Sequence, residues 1–157
     1  TGALNRMGIV GRDGLALTEH WADGPTTFLG LQTRGFPNFF FPGGPHAAAG
    51  NNPRYNGDQV DILTDTLLYA TEHGYNVIEV SERSEERWTR MVDKGAAITT
   101  FGTIGQYVGG NIPGKPKRYL LNAGGRMKLF EIIEATKKDD YKAFEMAKAD
   151  EPAGDPA

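Results

Sequence analysis

Gly109-Gly110-Asn111-Ile112-Pro113-Gly114-Lys115 is the stretch of this chain that comes nearest to a known chemical device. Gly109 and Gly114-Lys115 have the spacing of a phosphate-cradling P-loop, in which glycine amides surround the phosphates and the lysine neutralises them. That device also needs a Ser or Thr after the lysine to reach magnesium, with a strand before it and a helix after it. Pro116 stands where the hydroxyl should be and has no amide hydrogen to offer. The residues that follow, Lys117-Arg118-Tyr119-Leu120-Leu121, read as a short strand. The P-loop reading fails, and the glycine-dense segment 102–116 reads as a long loop that needs another purpose.

Other reactive groupings are thin. His20, His46 and His73 share no ligand spacing, so no metal site is expected. Ser81 and Ser84 are the only serines and open a charged helical stretch; without a G-x-S-x-G, nucleophilic hydrolysis has no support. Glu85 and Glu86 adjoin on a helix and so point to different faces, as solvated side chains do. Trp21 and Trp88 are expected to pack. No G-x-G-x-x-G follows a strand, so a whole dinucleotide-binding unit is absent.

One arrangement suits a ligand. Asn38-Phe39-Phe40-Phe41 reads as a strand buried on both faces, as in a parallel sheet, and Gly43-Gly44-Pro45 closes it. A helix then begins near Asn56, and the carboxyl end of a strand feeding a helix N-terminus is where α/β proteins place anionic groups. The connection from His46 to Arg54 is small and apolar, through Ala47, Ala48, Ala49 and Gly50, and leaves room for a planar ligand. An ordinary surface loop would have the same composition.

The elements that must position this loop follow from periodicity and punctuation. Met7–Val10 and Leu15–Thr18 read as a hairpin about Asp13-Gly14, and Thr26–Leu31 as another strand. A helix capped by Asn56 runs from Gly57 to His73 and stops at Gly74. Asn76–Val80 reads as a strand, Ser81–Ala97 and Met127–Lys137 as helices, and Tyr141–Lys148 as a last short helix.

Composition sets the outer bounds. A length of 157 residues makes about one domain, and 39% hydrophobic with 24% charged residues is globular. A net charge of -3 and a pI near 5.6 argue against a nucleic-acid surface. The lack of cysteine fits a reducing compartment, so a cytoplasmic location is expected. No apolar run approaches the roughly 20 residues that span a bilayer. The start at Thr1, without Met or a signal-peptide pattern, reads as the middle of a longer chain.

Thr1-Gly2-Ala3-Leu4, TEHWADGPTTFLGLQTRGFPNFFFPGGP (18–45), YVGGNIPGK (107–115), LLNAGG (120–125) and DDYKAF (139–144) occur in an order and spacing that resembles the C-terminal part of the Baeyer–Villiger monooxygenases. These FAD- and NADPH-dependent enzymes use O2 to insert oxygen beside a ketone carbonyl, giving esters or lactones. The resemblance implies an α/β fold, the C-terminal half of a split Rossmann-like FAD-binding domain in a flavoprotein with two dinucleotide-binding domains. On that basis residues 1–148 are the half-domain and 149–157 a disordered tail. The glycine fingerprints and the catalytic arginine of the family lie upstream, so this segment holds no catalytic residue, is inactive alone, and has the N-terminal part of the same enzyme as its partner. Segment 102–116 becomes a mobile loop over NADPH, with Gln106 and Asn111 on the cofactor; relatives usually carry Trp where Gln106 stands. The backbone of Asn52, Pro53 and Arg54 would face FAD. Ala47, Ala48, Ala49, Gly50 and Leu121 would touch the ketone, and the small size of residues 47–50 implies a bulky one. A non-catalytic module on the same scaffold, or a related flavin enzyme that oxidises nitrogen or sulfur, are the rival readings.

Overall fold

The structure, a computed structural model, describes residues 2–47, 51–98 and 118–149. Along these residues run α1 (Gly2–Arg6), a 3-10 turn (Arg12–Gly14), α2 (Leu17–His20), α3 (Asn52–Glu72), β1 (Val77–Val80), α4 (Glu82–Ala97), α5 (Gly125–Lys138) and β2 (Phe144–Ala147). The result is α/β with a small sheet.

The long helices follow from caps and apolar seams. In α3, Gln59, Ile62, Thr66 and Ala70 form the buried seam at helical spacing. The cap is Asn51, five residues before the expected Asn56: its side chain accepts the Arg54 amide at 3.3 Å. Pro53 suits a first turn because its missing amide hydrogen has no intrahelical partner there. Ser81 caps α4 by accepting the Ser84 amide, and Trp88, Thr89, Val92 and Ala96 line its inner face. Glu85, expected in solvent, is also on that face and only 6% exposed.

The sheet departs from expectation. It is a two-stranded antiparallel pair, β1 with β2, in which Val77 faces Ala147 and Val80 faces Phe144. The expected helix over 141–148 is therefore a turn and a strand. Asp140 and Tyr141 take positive φ after α5, and Phe144 turns inward to meet Phe28 edge-on at 5.6 Å. Ala149, assigned to the disordered tail, is tied to Asn76 by hydrogen bonds of 2.7 and 3.1 Å; the rest of that tail lies outside the described residues.

The other expected strands are not strands. Residues 7–18 keep only a Val10–Ala16 bridge across the 3-10 turn before α2 begins. At 26–31, Leu29 and Gly30 both have positive φ, so Phe28 returns to bridge Gln32 as a tight turn. Residues 38–41 carry no ladder; Asn38 has φ 59° and Phe41 bonds through its amide to the Leu31 carbonyl. Of the strand expected at 117–121, residues 118–121 are irregular, and 117 lies outside the described residues.

The main core gathers Phe28, Leu31, Ile62, Val80, Trp88, Leu129 and Phe144; a second cluster holds Leu17, Trp21, Phe36 and Phe41. Ile62 of α3 is fully buried in the main cluster. Ile62→Ala in the intact protein is expected to lower unfolding free energy by about 2–5 kcal/mol, read from denaturant midpoints at unchanged m-value.

Candidate functional site

The turn after Phe41 and the segment 118–122 come together in front of α3. The His46 amide donates to the Leu120 carbonyl at 2.8 Å, and the Asn122 amide donates to the Ala47 carbonyl at 2.9 Å. Between this pairing and α1 lies a cleft of about 360 Å³ lined by Ala3, Leu4, residues 41–45, Leu120 and Leu121. Every side chain on that lining is apolar or absent.

Helix α3 holds the cleft wall through one buried side chain. The Gln59 carbonyl oxygen accepts the Gly43 amide at 2.8 Å, and its amide nitrogen donates to the Leu29 carbonyl at 2.6 Å. One side chain therefore satisfies a donor and an acceptor in two different turns. Beneath the wall, Gly30 has φ 64°, and a side-chain carbon there would collide with the Ala47 backbone. Only glycine permits that approach.

His46 sits at the centre of this packing. It is fully buried with φ 67°, a strained conformation for a residue with a side chain. The Thr27 hydroxyl donates to the Pro45 carbonyl and lies 3.2 Å from Nδ1 of His46, so the network puts the ring hydrogen on Nδ1. Nε2 is buried without a hydrogen-bond partner. Burial pushes the imidazole pKa down to about 4; the Arg118 charge adds to this, while a backbone contact to Tyr119 opposes it. The ring is therefore neutral at pH 7. Asn122 has the same asymmetry: Oδ1 accepts the Gly124 amide at 2.8 Å, and Nδ2 is buried and unpartnered.

The expected site residues divide. Ala47 is buried in the wall, and Leu121 lines the cleft. Asn52, Pro53 and Arg54 are exposed on the first turn of α3, which carries no acidic side chain to offset its dipole. Ala48, Ala49, Gly50, Gln106 and Asn111 lie outside the described residues. Among the described residues, no group of three or more His, Asp or Glu is placed to hold a metal, and no helix is long and apolar enough to cross a membrane. Sequence reasoning tested His46 only as a zinc ligand and passed over Gln59. The signal for Gln59 was a polar residue in register with Ile62 and Thr66 on the buried seam.

The low pKa of His46 sets a pH dependence. Below about pH 6.5 the unfolded chain takes up a proton that the folded ring refuses, so folded stability falls as pH drops from 6.5 toward 4 and is unaffected above 7. The full contribution is about 3 kcal/mol. Denaturant midpoints of the intact protein at pH 7.5 and 4.5 should show this loss, and His46→Gln should flatten it.

No protein-family model matches the chain. Over 148 residues, 91% of its length, it is 37% identical to the phenazine N-monooxygenase PhzNO1 of Lysobacter antibioticus. It is 31% identical over 142 residues to the cyclohexanone 1,2-monooxygenase of Acinetobacter sp., and 36% identical over 151 residues to the methyl acetate-forming acetone monooxygenase of Gordonia sp.. These matches cover 27%, 26% and 28% of the relatives, so the chain spans about a quarter of their length. Its fold superposes on the cyclohexanone monooxygenase from Rhodococcus sp. Phi1 bound to NADP+ with a TM-score of 0.89 at 34% identity, over 94% of this chain and 28% of that one. By these matches the chain belongs to the Baeyer–Villiger monooxygenases, as a segment of about a quarter of their length.

Proposed function

We propose that the protein containing this chain is an FAD- and NADPH-dependent Baeyer–Villiger monooxygenase that uses O2 to convert a ketone to an ester or lactone. In this reading the chain is the second part of a split FAD-binding domain and supplies pocket wall and lid, not reacting groups. The observation that carries it is the apolar cleft, bounded by a glycine-rich turn that Gln59 hangs on α3. The first turn of α3 fits the flavin. Its dipole is unopposed by acid, Arg54 adds positive charge, and exposed backbone can approach a planar ring that carries negative charge when reduced. Bound FAD, reduced by NADPH, supplies the oxygen-transfer chemistry.

The chain's own residues then have limited tasks. Asn52, Pro53 and Arg54 hold the flavin pyrimidine edge by backbone and dipole. Leu121 and Ala47 bound the ketone, excluding water, and Ala48, Ala49 and Gly50 widen the pocket for a bulky or polycyclic substrate. Segment 102–116 closes over NADPH, where Gln106 hydrogen-bonds but cannot stack as Trp would. A second reading, oxidation of a ring nitrogen, is favoured by the 37% identity to a phenazine N-monooxygenase.

The two readings separate by product. The intact protein, given FAD, NADPH and O2, should turn a polycyclic ketone into an ester or lactone and favour it over cyclohexanone. Ala48→Phe should lower kcat/KM for the polycyclic ketone by about tenfold or more, roughly 1.4 kcal/mol, and spare the small one. Formation of phenazine N-oxide with no ester from any ketone sinks the first reading in favour of the second. Oxygenation of neither leaves only a non-catalytic scaffold.

A further inference from the structure

Arg118 leads into the segment that fronts the cleft, and its side chain reaches two distant parts of the fold. Nη1 donates to the Asp23 carbonyl at 3.2 Å, in the turn after α2, and Nη2 lies 3.6 Å from Oδ2 of Asp93 on α4. Between backbone and head, the stem crosses Gly24. A side-chain carbon at Gly24 would stand 2.7 Å from Cδ of Arg118, 2.8 Å from Cβ and 3.0 Å from Cγ. Gly24 has φ 100°, and its bare face is the surface on which the methylene groups lie. Arg118 and Asp93 are 31% and 35% exposed, so solvent leaves their ion pair weak. The stem on Gly24 and the bond to the Asp23 carbonyl therefore do most of the holding.

What is held is irregular backbone. Residues 118–121 form no helix or strand, yet Leu120 and Leu121 line the cleft. Two backbone bonds, from the His46 amide to Leu120 and from the Asn122 amide to Ala47, join this segment to the turn opposite. They fix the two segments to each other. Tyr119 packs against the main core and anchors the segment at one point, about which it could pivot. Arg118 supplies a second anchor, on α4 and the turn after α2. We propose that Arg118, through its stem on Gly24, is a positioning residue that sets where Leu120 and Leu121 stand, and with them the substrates between which the cleft discriminates. The proposal rests on the reading of the cleft as a ketone pocket.

Hydrogen exchange of the intact protein, read by peptide mass, tests the clamp. Arg118→Ala should speed exchange of the His46 and Asn122 amides by at least about tenfold and leave those of Ile62 to Ala70 on α3 unchanged. Unchanged rates at 46 and 122 overturn the proposal. So does an equal acceleration in α3, because the residue then serves general stability alone. Arg118→Lys keeps a methylene stem and a charge, and should restore most of the protection. Gly24→Ala should copy Arg118→Ala at both amides, and the double variant should be no worse than either single one. If the Gly24 variant fails to fold, Asp93→Asn decides: it should hold protection within about twofold, and a loss as large as that of Arg118→Ala overturns the role of the stem. In turnover, Arg118→Ala should cut the preference for a polycyclic ketone over cyclohexanone at least about threefold through KM, with kcat within about twofold. An unchanged preference overturns the positioning role. Exchange does not depend on turnover, so a protein with the expected exchange pattern that oxidises no ketone upholds the clamp while the functional reading fails.

Discussion

The segment from Trp21 to Ala47 contains no helix or strand, yet much of it is buried, and the fold depends on how its backbone is satisfied. Buried amides and carbonyls need partners, and here side chains from regular elements supply them. Glu85 of α4 accepts the Thr33 hydroxyl at 2.8 Å and the Arg34 amide at 2.9 Å. Glu79 of β1 accepts the Gly35 amide and the Arg12 guanidinium, each at 2.6 Å. Thr89 receives the Thr27 amide, and Gln59 serves Leu29 and Gly43. Two of these partners are buried carboxylates. Their desolvation cost is offset only because each accepts at least two hydrogen bonds; Arg12 also pairs with Glu79.

The same device protects the sheet. A two-stranded pair leaves β1 with a free edge, which would invite association. Asn38 covers it: its amide donates to the Ile78 carbonyl and its side-chain oxygen accepts the Ile78 amide, both at 2.9 Å. Gln32 adds a bond to the same carbonyl at 3.0 Å. An irregular turn thus does the work of a third strand without strand geometry.

This explains what could be read from residues alone. The helices α3, α4 and α5 and strand β1 were legible because caps and seams are local: Ser81 lies beside the amide it accepts, and Trp88, Val92 and Ala96 repeat on one face. Thr26–Leu31 and Asn38–Phe41 were misread because apolar composition reports burial and says nothing about where backbone partners come from. Those partners are up to 62 residues away, as with Thr27 and Thr89. Strand β2 was missed because FEMA suits either state, and the decision rests on left-handed backbone at Asp140 and Tyr141 and on a place beside β1. At the site, Ala47 and Leu121 were named as ketone contacts by the resemblance alone. His46 and Gln59 were not legible, since burial beside Thr27 and Leu29 is a tertiary fact.

The chemistry available to the cleft is limited by the same arrangement. Its lining has no charged or hydrogen-bonding side chain, so any directional contact from this wall comes from backbone. The titratable group nearest in sequence, His46, is buried behind the wall and held neutral, with its hydrogen directed at Thr27. A general acid or base must meet its substrate within hydrogen-bond reach, and nothing on this lining can do so. What such a lining can offer is shape and the exclusion of water. A glycine-rich turn serves that purpose well only if it is rigid, and Gln59, Gly30 and the strained His46 are what make it so.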